Sequence, residues 1–133
     1  NGQDFDFDFI KCKKNTTYID TIYNPLKTKT LKFLEDKYDI WHDRAVFHFL
    51  TTEIDKNNYK KLVNYAISGY MLLATFSDDG PNKCSGLEIC KYSELDLKSQ
   101  FKGSFTVIDS FKKDHFTPFT TTQNFTISLF KRD

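Results

Sequence analysis

The chain has 133 residues, with 19 Lys and Arg against 18 Asp and Glu, so its formal net charge at pH 7 is +1. This length predicts one domain, and the near-neutral charge disfavours a nucleic-acid binder that works by neutralising phosphates. With 39% hydrophobic residues the chain can build a core, but none of its 5 glycines form the G-x-G of a dinucleotide or phosphate loop. The first residue is Asn rather than Met, so we expect the natural start of translation upstream.

Cysteine and hydropathy patterns predict a cytoplasmic protein. The three cysteines, Cys12, Cys84 and Cys90, form no C-x-x-C pair and are expected to be free thiols in a reducing compartment. No apolar run approaches the ~20 residues of a membrane span, so no membrane partner is predicted. The three histidines lack metal-ligand spacing, so no metal site is predicted either.

Residues 1–36 carry the weakest signals. Residues 4–10 alternate Asp and Phe, which predicts a half-buried strand with a solvated acidic face rather than a cation site. Residues 16–23 are β-branched and aromatic, which predicts a second strand that ends at Asn24-Pro25.

Residues 37–76 have the pattern of a strand, a helix and a second strand. Residues 38–41 predict a short strand that ends before a polar triplet at 42–44, and residues 45–50 predict a helical turn. Thr52 is a candidate N-cap, and Gly69 has the position of a C′ glycine that ends the helix. Residues 70–76 are uniformly apolar, as in a strand covered on both faces, so the unit is predicted to be parallel β-α-β.

After residue 76 the pattern is helix, strand, strand. A turn at residues 78–81 and a loop precede a short helix over residues 93–101, with Ser93 as its cap. A strand over residues 105–111 and a polar connection over residues 112–123 follow. The alternating residues 125–129 then predict an antiparallel strand near a sheet edge.

In an α/β sheet of this kind, ligands and active-site residues lie outside the carboxyl ends of the parallel strands. The triplet His42-Asp43-Arg44 beside Trp41 and the segment at residues 77–79 both qualify. The triplet could orient a nucleophile, accept a proton or hold a cationic ligand, or it could be a solvated, salt-bridged strand end.

Two further histidines have less defined roles. His48 lies in an apolar run, where a satisfied core histidine is the simpler interpretation, although a catalytic role stays open. His115 falls in the predicted connection, and its role is also open.

Three segments resemble one family. The segment WHDRAVFHFLT at residues 41–51, with residues 38–40 before it, resembles the fourth-strand region of class I S-adenosylmethionine-dependent methyltransferases, in a bacterial-type branch. Residues 74–87 resemble the stretch after that branch's fifth strand, and residues 115–125 are similar to its final hairpin. The three segments occur in the order and separation of the family.

The resemblance implies a Rossmann-like, seven-stranded α/β fold of which the second half is present (strands 4–7, the last antiparallel). It implies S-adenosyl-L-methionine as cofactor and a small molecule or a protein side chain as methyl acceptor. The positions implied to contact the cofactor are Asp39, Trp41, His42, Asp43 and Ala45. Those implied to be catalytic are His42, Asp43 and Arg44, and those implied to face the acceptor are Arg44, His48, Phe76 and His115.

The chain also departs from the family. It has no Gly-rich loop after a first strand, and no acidic residue at the end of a second strand is found. We therefore expect a partial sequence that is inactive alone, with residues 1–36 around the third strand and residues 37–133 forming the carboxyl-terminal half. The alternatives are a non-catalytic interaction module with a partial methyltransferase fold and, disfavoured by charge, a nucleic-acid-binding domain. The sequence leaves the acceptor and the oligomeric state open.

Overall fold

The computed structural model describes residues 37–133, so the strands predicted within residues 1–36 lie outside the described residues. The strands of the described part are β1 (Tyr38–Arg44), β2 (Ile67–Phe76), β3 (Lys83–Cys84), β4 (Leu87–Glu88), β5 (Phe105–Phe116) and β6 (Thr122–Arg132). The α-helices of residues 37–133 are α1 (Glu53–Ala66) and α2 (Glu94–Gln100), and a 3-10 turn covers Phe47–Phe49.

Four of these strands form one mixed sheet in the order β1-β2-β6-β5. β1 and β2 are parallel and joined by α1, whereas β6 is antiparallel to both of its neighbours. The short strands β3 and β4 form a separate hairpin. The predicted α/β class, the parallel β-α-β unit and the antiparallel final strand are all confirmed.

Both predicted helix caps are present. The Thr52 hydroxyl accepts a hydrogen bond from the Asp55 amide at 3.2 Å, at the start of α1. At α2, the Ser93 hydroxyl accepts from the Asp96 amide at 3.1 Å while the Asp96 carboxylate accepts from the Ser93 amide at 2.9 Å. Such local exchanges satisfy backbone donors that a helix start leaves unpaired, which is why short sequence signals predicted them.

The prediction that Gly69 ends the helix as a C′ residue is wrong. α1 ends at Ala66, the chain passes directly into β2, and Gly69 lies inside that strand. A Cβ atom at Gly69 would lie 2.3 Å from the carbonyl oxygen of Asp39 in β1. The glycine is therefore required by the close approach of two backbones, where the pairing of β1 with β2 shifts register.

The strands are longer than the sequence predicted. β1 continues through Arg44, so the polar triplet lies within the strand and not after it. Residues 112–116 and 122–123, predicted as connection, belong to β5 and β6, which are joined by a short turn. β6 lies between β2 and β5. The polar members of its alternating segment, Thr126 and Ser128, are fully buried, whereas the apolar Ile127 and Leu129 are only partly buried, so the polar side chains are the ones that face the core.

The main hydrophobic core lies between the sheet and the two helices. It includes Trp41, Phe47, Tyr59, Phe101 and Phe130, all at most 3% exposed. A smaller cluster lies at the carboxyl ends of β1 and β2, and its buried members are Ala45, Ala74, Phe76, Cys84 and Phe125. The two clusters hold the carboxyl end of β1 from both faces of the sheet.

Candidate functional site

β1 divides the predicted triplet between the two faces of the sheet. Successive side chains of a strand point to opposite faces, so Trp41 and Asp43 lie in the core while His42 and Arg44 are exposed on the other face. Asp39 is also exposed, but it lies near the amino end of β1. The structure therefore separates residues that are adjacent in sequence.

The Asp43 carboxylate is completely buried and is used by the chain itself. It accepts hydrogen bonds from the Val46 amide at 2.9 Å, from the Phe47 amide at 3.1 Å, and from the Tyr59 hydroxyl. The Tyr59 oxygen in turn accepts from the Trp41 indole nitrogen at 3.1 Å. Burial raises the pKa of Asp43 to about 6, although these hydrogen bonds oppose the shift.

This carboxylate fixes the turn that follows β1. Ala45 has a φ of 63°, in the left-handed region that residues with a Cβ rarely adopt, and its amide donates to the Ala74 carbonyl at 2.8 Å. The bonds from Asp43 to the two next amides hold the chain in this conformation. Asp43 thus positions the backbone at the carboxyl end of β1, and Ala45 is buried there.

An open pocket of about 370 Å³ lies on the face opposite the helices, between β1 and the β5–β6 hairpin. Its lining residues are His42, Arg44, Leu72, Ala74, Lys113, Asp114, His115, Phe125 and Ile127. Arg44 Nη2 lies 3.4 Å from His115 Nδ1, and the Arg44 guanidinium carbon lies 5.6 Å from the centroid of the Phe125 ring. Three predicted site residues, His42, Arg44 and His115, therefore lie in one pocket.

His48 and Phe76 lie together behind this pocket. Both are fully buried, their ring centroids are 4.7 Å apart, and His48 Nδ1 accepts a hydrogen bond from the Phe76 amide at 2.9 Å. The other ring nitrogen, Nε2, is buried and has no hydrogen-bond partner among the described residues. Burial lowers the pKa of His48 to about 3, so the ring is neutral.

The second segment considered from the sequence, residues 77–79, forms a turn tied to the hairpin. Lys112 of β5 lies 2.7 Å from the carboxylate of Asp78 and 2.8 Å from that of Asp79. The Ser77 hydroxyl donates to the Asn124 side chain. These contacts connect the end of β2 to β5 and β6. The five residues that make them are not part of the pocket lining.

Sequence reasoning missed several residues of the site. Lys113, Asp114 and Ile127 line the pocket because β5 and β6 form a long hairpin. Tyr59 lies in α1, and no local sequence signal identifies it as the partner of Asp43. Leu72 was assigned to a buried strand but is half-buried in the pocket floor.

The part of the chain that the structure describes has neither a metal-binding cluster nor a membrane-spanning helix. Within residues 37–133, no three His, Cys, Asp or Glu side chains are grouped so that they could hold a metal ion. No helix in the same part of the chain is long and apolar enough to cross a membrane.

No protein-family profile and no curated protein matches the sequence, whereas several solved structures share the fold. A S-adenosylmethionine-dependent methyltransferase from Methanosarcina mazei superposes with a TM-score of 0.56 at 11% identity, over 72% of this chain and 59% of its own. The magnesium protoporphyrin IX methyltransferase of Synechocystis PCC 6803 with bound S-adenosylmethionine gives 0.51 at 17% identity, over 77% and 43%.

A third structure, from work on the conversion of a disulfide bond into a thioacetal group during echinomycin biosynthesis, gives a TM-score of 0.58 at 18% identity. The alignment covers 77% of this chain and 52% of the other, so the chain spans about half the length of the proteins it resembles. The described sheet therefore shares a partial Rossmann-like α/β fold with these methyltransferase structures.

Proposed function

We propose that this chain is the carboxyl-terminal half of a S-adenosylmethionine-dependent methyltransferase that acts on a small molecule or a protein side chain. The observation that carries the proposal is the sheet itself. A parallel β1-α1-β2 unit is followed by β6, which is antiparallel and lies between β2 and β5, and structures with this arrangement include methyltransferases. The fixed turn at the carboxyl end of β1 supports it, because ligands of such sheets lie at that end.

The described residues fit a methyl donor in part. His42 and the backbone at Ala45 lie at the carboxyl end of β1, where the methionine part of the donor would rest. Trp41 and Asp43 are used by the core, so they would act on the donor through the backbone they hold. Asp39 lies near the amino end of β1, away from the carboxyl end where the donor would rest. Residues 37–133 contain no glycine-rich loop for the rest of the donor.

The proposed reaction depends mainly on the alignment of the methyl donor with the acceptor. The donor, when bound, supplies an electrophilic methyl group on a sulfonium. We assign to His42 the removal of a proton from the acceptor, to Arg44 and His115 its orientation, and to Asp43 a positioning role. His48 and Phe76 would shape the acceptor pocket from behind, because Phe76 contacts the pocket wall at Phe125 with a centroid separation of 5.1 Å.

Isothermal titration of the full-length protein with S-adenosylmethionine and S-adenosylhomocysteine tests the proposal. We expect micromolar binding of both, weakened by Tyr59→Phe because this variant loosens the turn after β1. Tyr70→Phe removes an exposed tyrosine hydroxyl of β2 and serves as the matched control. No heat from either ligand, with a protein that is folded by circular dichroism, would refute the proposal.

The alternative is a non-catalytic interaction module, and one observation favours it. The β5–β6 hairpin carries large exposed hydrophobic side chains, with Phe116 74% and Phe119 84% exposed, and Ile108 and Phe111 on β5 are about half exposed. Exposed apolar groups of this kind are typical of protein contact surfaces. Under this alternative, the titration gives no donor binding, and Phe119→Ser abolishes a protein–protein interaction instead.

A further inference from the structure

We propose that the pocket between β1 and the β5–β6 hairpin binds a small organic carboxylate with an apolar body. This inference deepens the proposed function, on which its identification of the ligand as the methyl acceptor rests. The binding itself requires no methyl donor, so the two ideas can fail separately.

Arg44 is a charged side chain in the lining of the pocket. The ion pairs found among residues 37–133 do not include Arg44, and its guanidinium contacts only a histidine nitrogen, at 3.4 Å, and the face of Phe125. A guanidinium carries five N–H donors in a planar fork that matches the two oxygens of a carboxylate. Arg44 therefore offers more donors to the pocket than the described chain uses.

Two other charged side chains line the pocket near Arg44. Lys113 adds a second positive charge to the lining, and the negative charge comes from Asp114, whose carboxylate accepts from the Asn124 amide nitrogen at 2.8 Å. Because two cations and one carboxylate line the pocket, its charge without the two histidines, His42 and His115, is +1. An anion is favoured over a cation there.

The rest of the pocket lining is mostly apolar. Leu72, Ala74 and Ile127 give the floor an apolar surface, and Phe125 adds an aromatic one. A free phosphate would stay hydrated against such a floor, whereas a ring or a branched alkyl group would be buried by it. The volume of about 370 Å³ is at the lower end of the range of ~300–1,000 Å³ for small-molecule sites.

The carboxylate is the anchor of this ligand and not its nucleophile. Hydrogen bonds from a guanidinium withdraw electron density from the oxygens that accept them, so a carboxylate held by Arg44 is a poorer nucleophile than a free one. The group that would accept a methyl lies elsewhere on the ligand, on the side of His42.

The test uses four probes and no methyl donor. Phenylacetate and benzoate are titrated into the 15N-labelled protein, and phenylacetamide and benzamide serve as neutral isosteres. We expect the carboxylates to bind at least about tenfold more tightly than the amides, since a charged hydrogen-bond acceptor is the stronger one. The amide resonances of Leu72, Ala74 and Ile127 should shift.

Two variants measure separately what the charge of Arg44 and the apolar floor of the pocket contribute to binding. Arg44→Gln should weaken carboxylate binding by about tenfold to a hundredfold and weaken amide binding much less, because a neutral acceptor loses less with the guanidinium. Leu72→Asn should weaken both classes of probe. Lys83→Gln removes an exposed cation on the separate β3–β4 hairpin and should bind like the parent protein. The spectra of the variants confirm that each is folded.

Two results would overturn the inference. One is equal binding of carboxylates and amides by the parent protein, and the other is unchanged carboxylate binding in Arg44→Gln. Donor binding without carboxylate binding would refute this inference and leave the methyltransferase proposal intact. Carboxylate binding without donor binding would refute the methyltransferase proposal and leave the carboxylate site intact.

Discussion

The hydrogen bond from Tyr59 to Asp43 should contribute more to stability at neutral pH than at acidic pH. Tyr59→Phe removes one donor from a buried carboxylate and also the hydrogen bond from the Trp41 indole N–H to the Tyr59 oxygen. A hydrogen bond to a charged group contributes about 1.5–3 kcal/mol, and a hydrogen bond between neutral groups about 0.5–1.5 kcal/mol. We therefore expect a loss of about 3 kcal/mol in the free energy of unfolding at pH 7.5, or roughly 10 °C in Tm.

The pH dependence follows from the pKa of Asp43, which burial raises from 3.8 to about 6. The folded protein binds this proton more tightly than the unfolded chain, so the contribution of Asp43 to stability falls as the pH rises from 3.8 to 6. Without the hydroxyl of Tyr59 the folded-state pKa rises further, because that hydrogen bond lowers it. The loss of stability then continues above pH 6.

Urea unfolding of the parent protein and Tyr59→Phe at pH 4.5 and pH 7.5 measures this difference. The cost of the substitution should be about half as large at pH 4.5, where the folded-state carboxyl is protonated and needs its donor less. The titration of His48 contributes equally to both proteins and cancels. Tyr70→Phe should change stability little at either pH. Equal costs of Tyr59→Phe at the two pH values would refute the reasoning.

Four substitutions test other features by thermal and urea unfolding. Gly69→Ala should lower the free energy of unfolding by about 1–3 kcal/mol or more, because its Cβ meets the facing backbone of β1. Gly86→Ala has open space around it and a φ of 77°, so it should lose only about 1–2 kcal/mol to backbone strain. A larger loss in Gly86→Ala than in Gly69→Ala would contradict the close approach of the two backbones. His48→Leu leaves the buried Phe76 amide without its acceptor, so we expect a loss of about 1–3 kcal/mol at pH 7.5. Burial lowers the folded-state pKa of His48 to about 3, so the contribution of this residue to the stability of the parent protein is lost as the pH falls from 6.5 towards 3. The stability of His48→Leu should not show this part of the pH dependence. Ser93→Ala should cost about 1 kcal/mol, and no change would contradict the capping box at α2.

The sequence predicted the local parts of this fold. Thr52 and Ser93 cap their helices through bonds to amides three residues away, and such bonds depend on short segments alone. The interpretation of Gly69 failed because a glycine at the end of a helical pattern has two physical explanations. One is a left-handed backbone, and the other is a close neighbour that only the pairing of β1 with β2 reveals.

The candidate site was predicted in composition but not in arrangement. Arg44 and His115 are 71 residues apart in the chain and meet only because β6 places β5 within reach of β1 across the open face. The triplet looked like one group of side chains, and the alternation of a strand divides it into a buried carboxylate and two exposed basic groups. The extent of β1 decides that division, and the boundary of a strand is a weak signal in a sequence.

The order of the strands also has a consequence for how the chain folds. β5 and β6 are neighbours in sequence and pair along their whole length, whereas β6 reaches β2 through pairs such as Tyr70 with Lys131 and Phe76 with Phe125. Closing those long loops is slow compared with forming a hairpin. We expect the hairpin to form first and its docking onto β2 to limit the folding rate. The pocket, whose two walls come from these two units, would then be assembled in the last step.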